Sequence, residues 1–324
     1  MPEKKVKNDQ WLVIVNPHAG SNKCKQDWPK ISRLLDEAEF DMIIHFTKRQ
    51  FHAIEMVKKY VEDEGFQKII VVGGDGTLNE AVNGVFRQKR FKTTEITLGL
   101  ITVGTGNDWG RMYEMPESYK KQVKMLLKGY TFLQDVGEVD YRFSDDEEMR
   151  YFINIAGMGY DALVAQKTNH MKQKGKGGPI AYLVNLIAGL FQYKSIHLDI
   201  TADGKKVFSG KVFSMSIGIC KYNGGGMMQL PNAIPDDGLF DIMVIRKTTK
   251  LRIVTNIKHL YDGSFINMPE VSLHTGKKVT IKSKPAHKLY LETDGESLGH
   301  SPLYFTIIPK AIRLIVRKKY SEIE

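Results

Sequence analysis

The sequence predicts an α/β plus β protein, in which an N-terminal doubly wound parallel-sheet domain precedes a C-terminal β-sandwich-like domain. Over about the first 140 residues, short apolar runs alternate with amphipathic segments, as in a parallel sheet covered by helices. The chain then carries many short β-rich stretches separated by turn residues, as in a sandwich. The 324 residues fit two domains of roughly 150 residues each. We expect one domain over 1–137 and a second over 138–308, with a tail of about 309–324 returning to the first.

The individual elements follow from the spacing of apolar residues. Apolar runs predict strands in the first domain at 11–15, 42–46, 68–72 and 97–103. Apolar residues at helical spacing predict helices around 31–38, 53–61 and 78–86. In the second domain, β-rich stretches predict strands at 151–155, 196–201, 211–219, 240–245, 278–282, 289–292 and 303–308. Two helices are expected to interrupt them, an amphipathic one at 180–191 and a weaker one at 249–261.

The composition is that of an ordinary globular protein. Hydrophobic residues make up 42% and charged residues 26% of the chain, which argues against disorder. The two cysteines, Cys24 and Cys220, form no CxxC pair, which argues against a thiolate zinc site. The first residues lack the apolar core of a signal peptide. The longest uncharged run, 177–193, is shorter than the about 20 apolar residues that span a bilayer. We therefore expect a soluble, cytoplasmic protein.

The net charge of +10 leaves three classes of partner open: nucleic acid, anionic lipid and nucleotide phosphates. A surplus of solvated surface lysines would explain the same charge without any partner. Charge is the sole indication for nucleic acid, because the sequence carries no RRM, KH or helix-turn-helix signature. We therefore expect no nucleic-acid partner.

A glycine-rich loop at 73–77, Gly-Gly-Asp-Gly-Thr, is the strongest local signal for chemistry. It stands between a predicted strand and a predicted helix, where glycines let the backbone approach a ligand and the helix N-terminus favours an anion. The carboxylate of Asp75 would repel a bare phosphate. With a bridging Mg²⁺, however, it becomes a direct or water-mediated metal partner. A plain strand-to-helix turn is the alternative interpretation.

Two further turns repeat this design after other predicted strands, one at 16–20 and one at 104–108. Because the carboxyl ends of parallel strands meet at one edge of a sheet, the three loops would converge where open α/β sheets bind ligands. Arg111 follows the last of these loops. It is either a cation for a phosphoryl group or an ion-pair partner of Asp108 or Asp135, and both interpretations remain open.

Several common enzyme motifs are missing. No Gly-Lys pair is followed by Ser or Thr, so a Walker P-loop is excluded. The glycines at 104, 106 and 110 do not meet the GxGxxG spacing, and no two histidines stand four residues apart on a helix as in zinc hydrolases. One GxSxG match at 295–299 lies between two β-rich stretches. A nucleophile elbow needs a strand before it and a helix after it, so we interpret this match as chance.

Four motifs in order resemble the diacylglycerol kinase catalytic family, which includes bacterial diacylglycerol kinase-like lipid kinases and sphingosine kinases. They are NPHAG at 16–20, GGDGTLNE at 73–80, GTGNDWGR at 104–111 and DGE at 294–296. The resemblance runs from residue 11 to about residue 315. GGDGT alone is also similar to NAD kinases and phosphofructokinases, but the segments 223–226 and 236–239 favour the lipid-kinase branch. The resemblance implies an NAD kinase/diacylglycerol kinase-like first domain, ATP and Mg²⁺ as cofactors, and phosphoryl transfer to a lipid hydroxyl, with diacylglycerol as the expected acceptor.

The resemblance also implies roles for individual positions. The residues that match nucleotide contacts are Asn16, Pro17, His18, Ala19, Gly20, Thr47, Gly73, Gly74, Asp75, Gly76, Thr77, Leu78, Asn79, Thr105, Asn107 and Arg111. Asp75, Asp108 and Asp135 match the acidic network that holds catalytic Mg²⁺, directly or through water. Glu296 matches the proton acceptor, with Asp294 beside it, and a carboxylate that takes the proton of an alcohol assists its attack. The expected catalytic residues are therefore Glu296, Asp294 and Asp75.

A second, structural Mg²⁺ site is implied in the β-rich domain. Its matching positions are Ile234, Asp237 and Leu239, two of which could offer only backbone carbonyls, and oxygen ligands suit this hard cation. A plain Asp-Gly turn is the alternative. Small departures from the family pattern at Gly106, Trp109 and Gly110 put the lipid preference in doubt.

Access to lipid is suggested by a basic segment. Lys167, Lys172, Lys174 and Lys176 precede the amphipathic stretch 180–191, and such a segment can dock on anionic membrane. Alternatively, the apolar face packs on the sandwich and the lysines are solvated. The expected partners are a membrane lipid substrate and the inner face of the membrane, which the protein would contact peripherally. A homodimer remains open.

Other functions compete with the lipid-kinase hypothesis. The acceptor could be phosphatidylglycerol, a sphingoid base or a polyprenol, and the enzyme could be a soluble-substrate kinase of the NAD kinase type. A nucleotide-binding regulator without turnover is a further alternative. The presence of Asp75, Asp108, Asp294 and Glu296 argues against it, because a decayed site should lose its carboxylates.

Overall fold

A computed structural model of the chain describes residues 9–104, 106–173, 189–190 and 193–321, the side chains of 168–173 excepted. Its backbone divides into two compact units. The first comprises Met1–Gln134 together with Lys310–Glu324, and the second comprises Asp135–Pro309.

The first unit is built from alternating strands and helices. Its strands are β1 Trp11–Val15, β2 Met42–Phe46, β3 Lys68–Gly73 and β4 Thr97–Thr102. Its helices are α1 Lys23–Glu37, α2 His52–Lys59, α3 Asp75–Arg87, α4 Asp108–Met112 and α5 Tyr119–Lys128. The strands pair in parallel in the order β4-β3-β1-β2.

Both faces of this parallel sheet are covered. Val13 and Val15 of β1 share one buried cluster with Ile31 of α1 and with residues of α5. The intervening residues of β1, Leu12 and Ile14, point to the opposite face and are also fully buried. Coverage on both faces explains why the strands are continuously apolar rather than alternating.

The second unit is rich in strands. They are β5 Thr131–Phe143, β6 Asp146–Phe152, β7 Ile155–Gly159, β8 Ile196–Ala202, β9 Lys205–Gly218, β10 Tyr222–Asn223, β11 Met227–Met228, β12 Phe240–Arg246, β13 Val271–Gly276, β14 Lys278–Lys284, β15 Tyr290–Thr293 and β16 Glu296–Ile315. The described part of this unit also contains the helices α6 Tyr160–Gln173, α7 Lys250–Asn256 and α8 His259–Asp262. The ends of β5 and β16 extend into the first unit.

Two long strands link the two layers of the second unit. One antiparallel layer runs β13-β12-β9-β7-β15-β16, and the other runs β9-β8-β14-β16-β5-β6. The first half of β9 pairs with β8 and its second half with β7 and β12, so β9 contributes to both layers. Within the first unit, Arg313 and Leu314 of β16 pair in parallel with β4. The predicted α/β plus β fold with a sandwich-like second part is confirmed.

The structure differs from the sequence prediction in several places, and β5, α4, α5 and α6 were not predicted. The expected strand at 151–155 is broken, because β6 ends at Phe152 and β7 begins at Ile155. β13 had no counterpart in the prediction, and the helix expected at 249–261 is divided into α7 and α8. Most of the helix expected at 180–191 lies outside the described residues. None of the helices in the described ranges is both long and apolar enough to cross a membrane.

Candidate active site

Three glycine-containing loops meet at the carboxyl edge of the parallel sheet. Asn16 joins the loop after β1 to α3, because its side-chain amide donates to Thr77 Oγ1 at 2.9 Å. The loop after β4 lies close to both the loop after β1 and the loop after β3. A Cβ built on Gly104 would lie 3.5 Å from the Cα of Gly74, and one built on Gly20 would lie 3.6 Å from the Cα of Gly104. The three loops therefore form one continuous surface within the first unit.

Asp75, the first residue of α3, holds a neighbouring helix with its carboxylate. Its Oδ2 accepts the N–H of Asp108 at 2.9 Å, and its Oδ1 accepts the N–H of Trp109 at 3.2 Å. These are the first two amides of α4, so Asp75 caps that helix from another element. An ionised carboxylate offers about four acceptor sites, so capping and metal binding are compatible.

Asp108 brings a second carboxylate to the same place. A Cβ built on Gly106 would lie 3.5 Å from both Asp75 Oδ2 and Asp108 Oδ2, so the two carboxylates flank this glycine. Asp108 is only 5% exposed. Next to it, Asn107 donates through Nδ2 to Gly104 O at 3.2 Å, while its Oδ1 is buried and accepts no hydrogen bond within the described part of the chain.

Other predicted nucleotide-contacting residues support the loops from beneath. Thr47 is 7% exposed, and its N–H donates to the last carbonyl of β1 at 2.8 Å. Leu78 and Asn79 are fully buried in α3, and Asn79 Oδ1 accepts a hydrogen bond from Asn83 Nδ2 at 3.1 Å. Thr105 lies outside the described residues.

The loop after β1 is organised by Asn16. Its Oδ1 accepts the N–H of His18 at 3.0 Å, and its carbonyl accepts the N–H of Ala19 at 3.1 Å. Pro17 lies within this turn. Arg111 lies one turn after Asp108 in α4, where its N–H donates to Asn107 O at 2.9 Å.

Gly74, at the N-cap position of α3, borders open space. Its backbone angles, φ −105° and ψ −170°, are available to any residue. A Cβ built there would meet none of the described atoms within 4 Å. By contrast, a Cβ on Gly73 would lie 2.7 Å from Thr77 Oγ1, so packing requires that glycine. Among the described residues, therefore, neither strain nor packing accounts for glycine at position 74.

Glu80, the last residue of the GGDGTLNE segment, has a role that sequence reasoning missed. Its Oε1 accepts the N–H of Phe51 at 2.9 Å, and its Oε2 accepts the N–H of Ala53 at 3.0 Å. Glu80 thus caps α2 in the way that Asp75 caps α4. The two carboxylates of α3 therefore have equivalent structural roles.

In the second unit, Asp294 and Gly295 form the two-residue turn between β15 and β16. Both have left-handed backbone, with φ of 49° and 83°, which suits the Asp-Gly pair of a tight hairpin. The carboxylate of Asp294 accepts the N–H groups of Ile153, Asn154 and Ile155 at 3.0, 3.0 and 3.2 Å. These amides lie at the break between β6 and β7 and explain it. Asp294 therefore anchors the turn, and its predicted catalytic role stays a prediction.

Glu296 begins β16 directly after this turn and is held by an arginine. Arg150 Nη2 on β6 lies 3.4 Å from Glu296 Oε2, and the exposed fractions of the two side chains are 5% and 16%. Moving either charge away would break an ion pair that is largely shielded from water, which is costly. Arg150 was not recognised in the sequence, where it stands 146 positions before its partner.

Two acids beneath the turn, the buried Glu292 and the half-buried Asp161, were also missed. Glu292 accepts hydrogen bonds from Asn223 Nδ2 at 3.0 Å and from the N–H of Gly295 at 2.9 Å. A Cβ built on Gly157 would lie 2.4 Å from Glu292 Oε1 and 3.0 Å from Asp161 Cβ, so glycine is required there for both acids to fit. Burial raises the pKa of Glu292 to about 8 and that of Asp161 to about 6. Glu292 thus supports the turn that carries Glu296.

The predicted structural metal positions lie in a turn that Asp135 joins. Asp135 Oδ2 accepts the N–H of Gly238 at 2.7 Å, and its own N–H donates to Pro235 O at 2.8 Å. Asp237 Oδ1 accepts the N–H of Leu239 at 3.0 Å, and Ile234 is 52% exposed. These bonds tie Asp135 to the turn around Asp237, and its predicted place in the catalytic network stays a prediction.

The predicted metal ligands and the predicted basic segment are only partly described by the structure. Among the described residues, no three His, Cys, Asp or Glu side chains come together as a metal-ligand set. Of the basic segment, Lys167 is described. The side chain of Lys172, together with Lys174, Lys176 and most of the stretch 180–191, lies outside the described residues.

The fold and the loops define a class of protein. Residues 10–139 match the family model described as the diacylglycerol kinase catalytic domain. Residues 154–316 match that of the YegS C-terminal NAD kinase beta sandwich-like domain. A parallel-sheet unit with glycine loops and a sandwich unit, each matched in this way, define a two-domain nucleotide-binding kinase. The chain belongs to the diacylglycerol kinase family and is a lipid kinase by that membership.

Individual relatives resemble the chain over nearly its whole length. A protein named diacylglycerol kinase from Staphylococcus carnosus is 29% identical over 313 residues, which cover 96% of each chain. The crystal structure of a candidate diacylglycerol kinase from Bacillus anthracis is 26% identical with a TM-score of 0.73, and the match covers 97% of this chain and 99% of that one. Yeast NADH kinase, solved with NADH, shares the fold alone, at 11% identity and a TM-score of 0.54 over 97% of this chain and 85% of its own.

Proposed function

We propose that this kinase transfers the γ-phosphoryl group of ATP to a hydroxyl of a membrane lipid, with diacylglycerol as the preferred acceptor. The name shared by the Staphylococcus relative and the Bacillus structure supports the choice of acceptor. The main observation that supports a nucleotide phosphate as the ligand is the open space beside Gly74.

The nucleotide phosphates are assigned to the surface formed by the three loops. A glycine that neither packing nor backbone strain explains is expected where a ligand approaches the main chain. At Gly74 that ligand would face the N-terminus of α3, a helix of 13 residues, and helix N-termini favour phosphate groups. Adenosine triphosphate fits this chemistry, and Asn16 and Thr77 fix the two loops on either side of the space.

The acidic residues of the same surface fit Mg²⁺. The carboxylate oxygens of Asp75 and Asp108 flank Gly106, and Mg²⁺ is usually held by one or two carboxylates together with waters and substrate phosphates. When bound there, Mg²⁺ would neutralise charge on the phosphates. Direct and water-mediated contact are equally compatible with two carboxylates.

Glu296 is assigned as the proton acceptor for the lipid hydroxyl. As the new bond forms between the hydroxyl oxygen and the γ-phosphorus, the bond from that phosphorus to the β,γ-bridging oxygen breaks and ADP leaves. The hydroxyl proton passes to the Glu296 carboxylate, which Arg150 holds in place. Removing the proton in this way helps a weakly nucleophilic alcohol to attack.

The lipid acceptor implies a peripheral contact between the protein and a membrane, which we propose to be the inner face of the cytoplasmic membrane. Phosphatidylglycerol, a sphingoid base and a polyprenol remain alternative acceptors, because each presents a hydroxyl. Phosphorylation of a soluble nucleotide is a second candidate function. The GGDGT segment leaves it open, but no side-chain contact among the described residues favours it.

Substitution of Gly74 by alanine tests the assignment of the nucleotide. We expect Gly74→Ala to weaken ATP binding by at least about tenfold, equivalent to about 1.4 kcal/mol, because the new methyl group would occupy space needed by a phosphate. Thermal stability should be unchanged, since the added Cβ meets no described atom. Titration calorimetry with ATP and Mg²⁺ measures the affinity.

Gly129→Ala is the matched control for this prediction. Gly129 also borders open space, but its φ is 63°, so alanine should lower stability by about 1 kcal/mol and leave ATP affinity unchanged. If Gly74→Ala binds ATP as tightly as the wild type, the phosphates do not lie beside this residue.

A further inference from the structure

The helices α7 and α8 carry an apolar row that faces solvent. Leu251, Val254 and Tyr261 are 74%, 40% and 48% exposed. Between the two helices, Ile257 and Lys258 keep right-handed helical backbone angles. At 100° per residue, the three exposed residues therefore project from one side of a single helical run. Exposed apolar residues are common singly, but three on one side of a short helical segment form a patch.

The opposite side of this segment is fixed to the second unit. Ile253, Ile257 and Leu260 pack against a buried cluster that contains Tyr160 and Phe213. The segment is thus anchored through one side and presents the other. Its outward residues are not needed for packing within the unit, because the residues on the opposite side make the core contacts.

The charge on this segment is mainly positive. Between residues 246 and 261 the chain contains Arg246, Lys247, Lys250, Arg252 and Lys258 and no Asp or Glu. All five cationic residues are solvent-exposed. Two acids lie near these cations: Glu270 pairs with Arg252 at 2.9 Å, and Asp262 is the last residue of α8. Cations therefore alternate with the exposed apolar side chains.

We propose that the outer face of α7–α8, formed by Leu251, Val254 and Tyr261 with the surrounding lysines and arginines, docks on an anionic lipid bilayer. An interfacial helical segment inserts apolar side chains at the headgroup boundary, while cations contact anionic lipid. A stable protein interface has a different composition, because charged residues, lysine among them, are depleted from its core. Here Lys250 precedes Leu251, and Lys258 lies one helical turn from both Val254 and Tyr261. Charge complementarity therefore selects a lipid surface rather than a second protein.

This proposal rests on the proposed function, because a lipid substrate is the reason for the enzyme to approach a membrane. It adds the surface that would make the contact. It also connects the docking face to the second unit's acids. The cluster beneath α7–α8 includes Tyr160, and the next residue, Asp161, lies over Gly157 together with Glu292. A membrane bound to this face would therefore contact the unit that carries Glu296.

Vesicle sedimentation of the purified full-length protein tests the docking face. We expect wild-type protein to partition onto vesicles of phosphatidylglycerol mixed with phosphatidylcholine, and not onto phosphatidylcholine alone. Each cation near an anionic surface contributes about 1 kcal/mol, or roughly fivefold in partitioning. The Lys250→Gln/Lys258→Gln double variant should therefore lose about 25-fold. Leu251→Gln should weaken partitioning further by removing the most exposed apolar side chain.

The control variants carry the same types of substitution at exposed positions outside α7–α8. Lys282→Gln/Lys288→Gln removes two exposed lysines of the same unit, and Leu127→Gln removes an apolar side chain of the first unit that is 56% exposed. Both should partition like the wild type, and melting temperatures should show that every variant is folded.

Three outcomes would overturn the proposal: wild-type protein that binds neither vesicle, α7–α8 variants that partition no worse than the controls, or a dimer that Leu251→Gln converts to monomer. The proposed function is tested separately, by wild-type phosphorylation of lipid in neutral detergent micelles. Anionic vesicle binding without such activity would leave the docking face standing and refute the lipid-kinase function.

Discussion

Replacing Asp75 by asparagine is expected to lower kcat by about a thousandfold, the scale on which electrostatic groups act in active sites, while the protein remains folded. Asparagine keeps one oxygen that can accept an α4 amide, whereas it loses the charge needed to hold Mg²⁺. The loss of one charge-assisted hydrogen bond should lower the free energy of unfolding by roughly 1–3 kcal/mol. Steady-state kinetics with ATP and lipid, combined with denaturant unfolding, measure the two effects separately.

The control for this prediction is Glu80→Gln on the same helix. Glu80 caps α2 through two amides, as Asp75 caps α4 through two amides. The two substitutions should therefore lower stability by similar amounts. Only Asp75→Asn should reduce kcat by orders of magnitude. If the two variants lose activity equally, Asp75 acts through helix capping alone and has no role in the reaction.

The second large effect is expected from Glu296→Gln. Glutamine keeps the size of the side chain but cannot accept the hydroxyl proton, and general-base catalysis typically contributes 10² to 10⁴-fold, so kcat should fall by about a thousandfold. Binding of ATP should be unchanged, because the nucleotide is assigned to the first unit. The substitution also removes the negative charge that pairs with Arg150, which is 5% exposed, so stability should fall as well.

A further variant separates the effect of Glu296→Gln on stability from its effect on kcat. Arg150→Met removes the charge from the other side of the pair and leaves Glu296 able to accept a proton. It should lower stability as much as Glu296→Gln does, yet retain more of kcat. The exposed Glu148→Gln on β6 should behave like the wild type in both assays. A kcat for Glu296→Gln within tenfold of the wild type would remove Glu296 from the proposed role.

The parts of the structure that the sequence predicted are those set by local patterns. The parallel sheet follows from buried apolar runs such as 11–15 and 68–72, which repeat with helices between them. The meeting of the three loops follows from that sheet, because parallel strands bring their carboxyl ends to one edge. Gly20, Gly74 and Gly104 are neighbours for this reason, although long stretches of chain separate them.

The contacts that the sequence did not predict depend on tertiary structure. Asp75 caps a helix that begins 33 positions later, and no local pattern links the two. The break between β6 and β7 depends on Asp294, which is 139 to 141 positions away. Glu292 reads as one more polar residue in an alternating strand. It becomes a buried acid only because Gly157 on a neighbouring strand leaves room for its carboxyl group.

The most direct test of the proposed function is to follow the γ-phosphoryl group itself. Wild-type protein is incubated with Mg²⁺ and ATP labelled at the γ-phosphorus, together with diacylglycerol in mixed micelles or, separately, with NAD in buffer. We expect label in phosphatidic acid, none from ATP labelled at the α-phosphorus, and none in NAD. Label that reaches NAD but no lipid acceptor, including phosphatidylglycerol, a sphingoid base and a polyprenol, would contradict the proposed function.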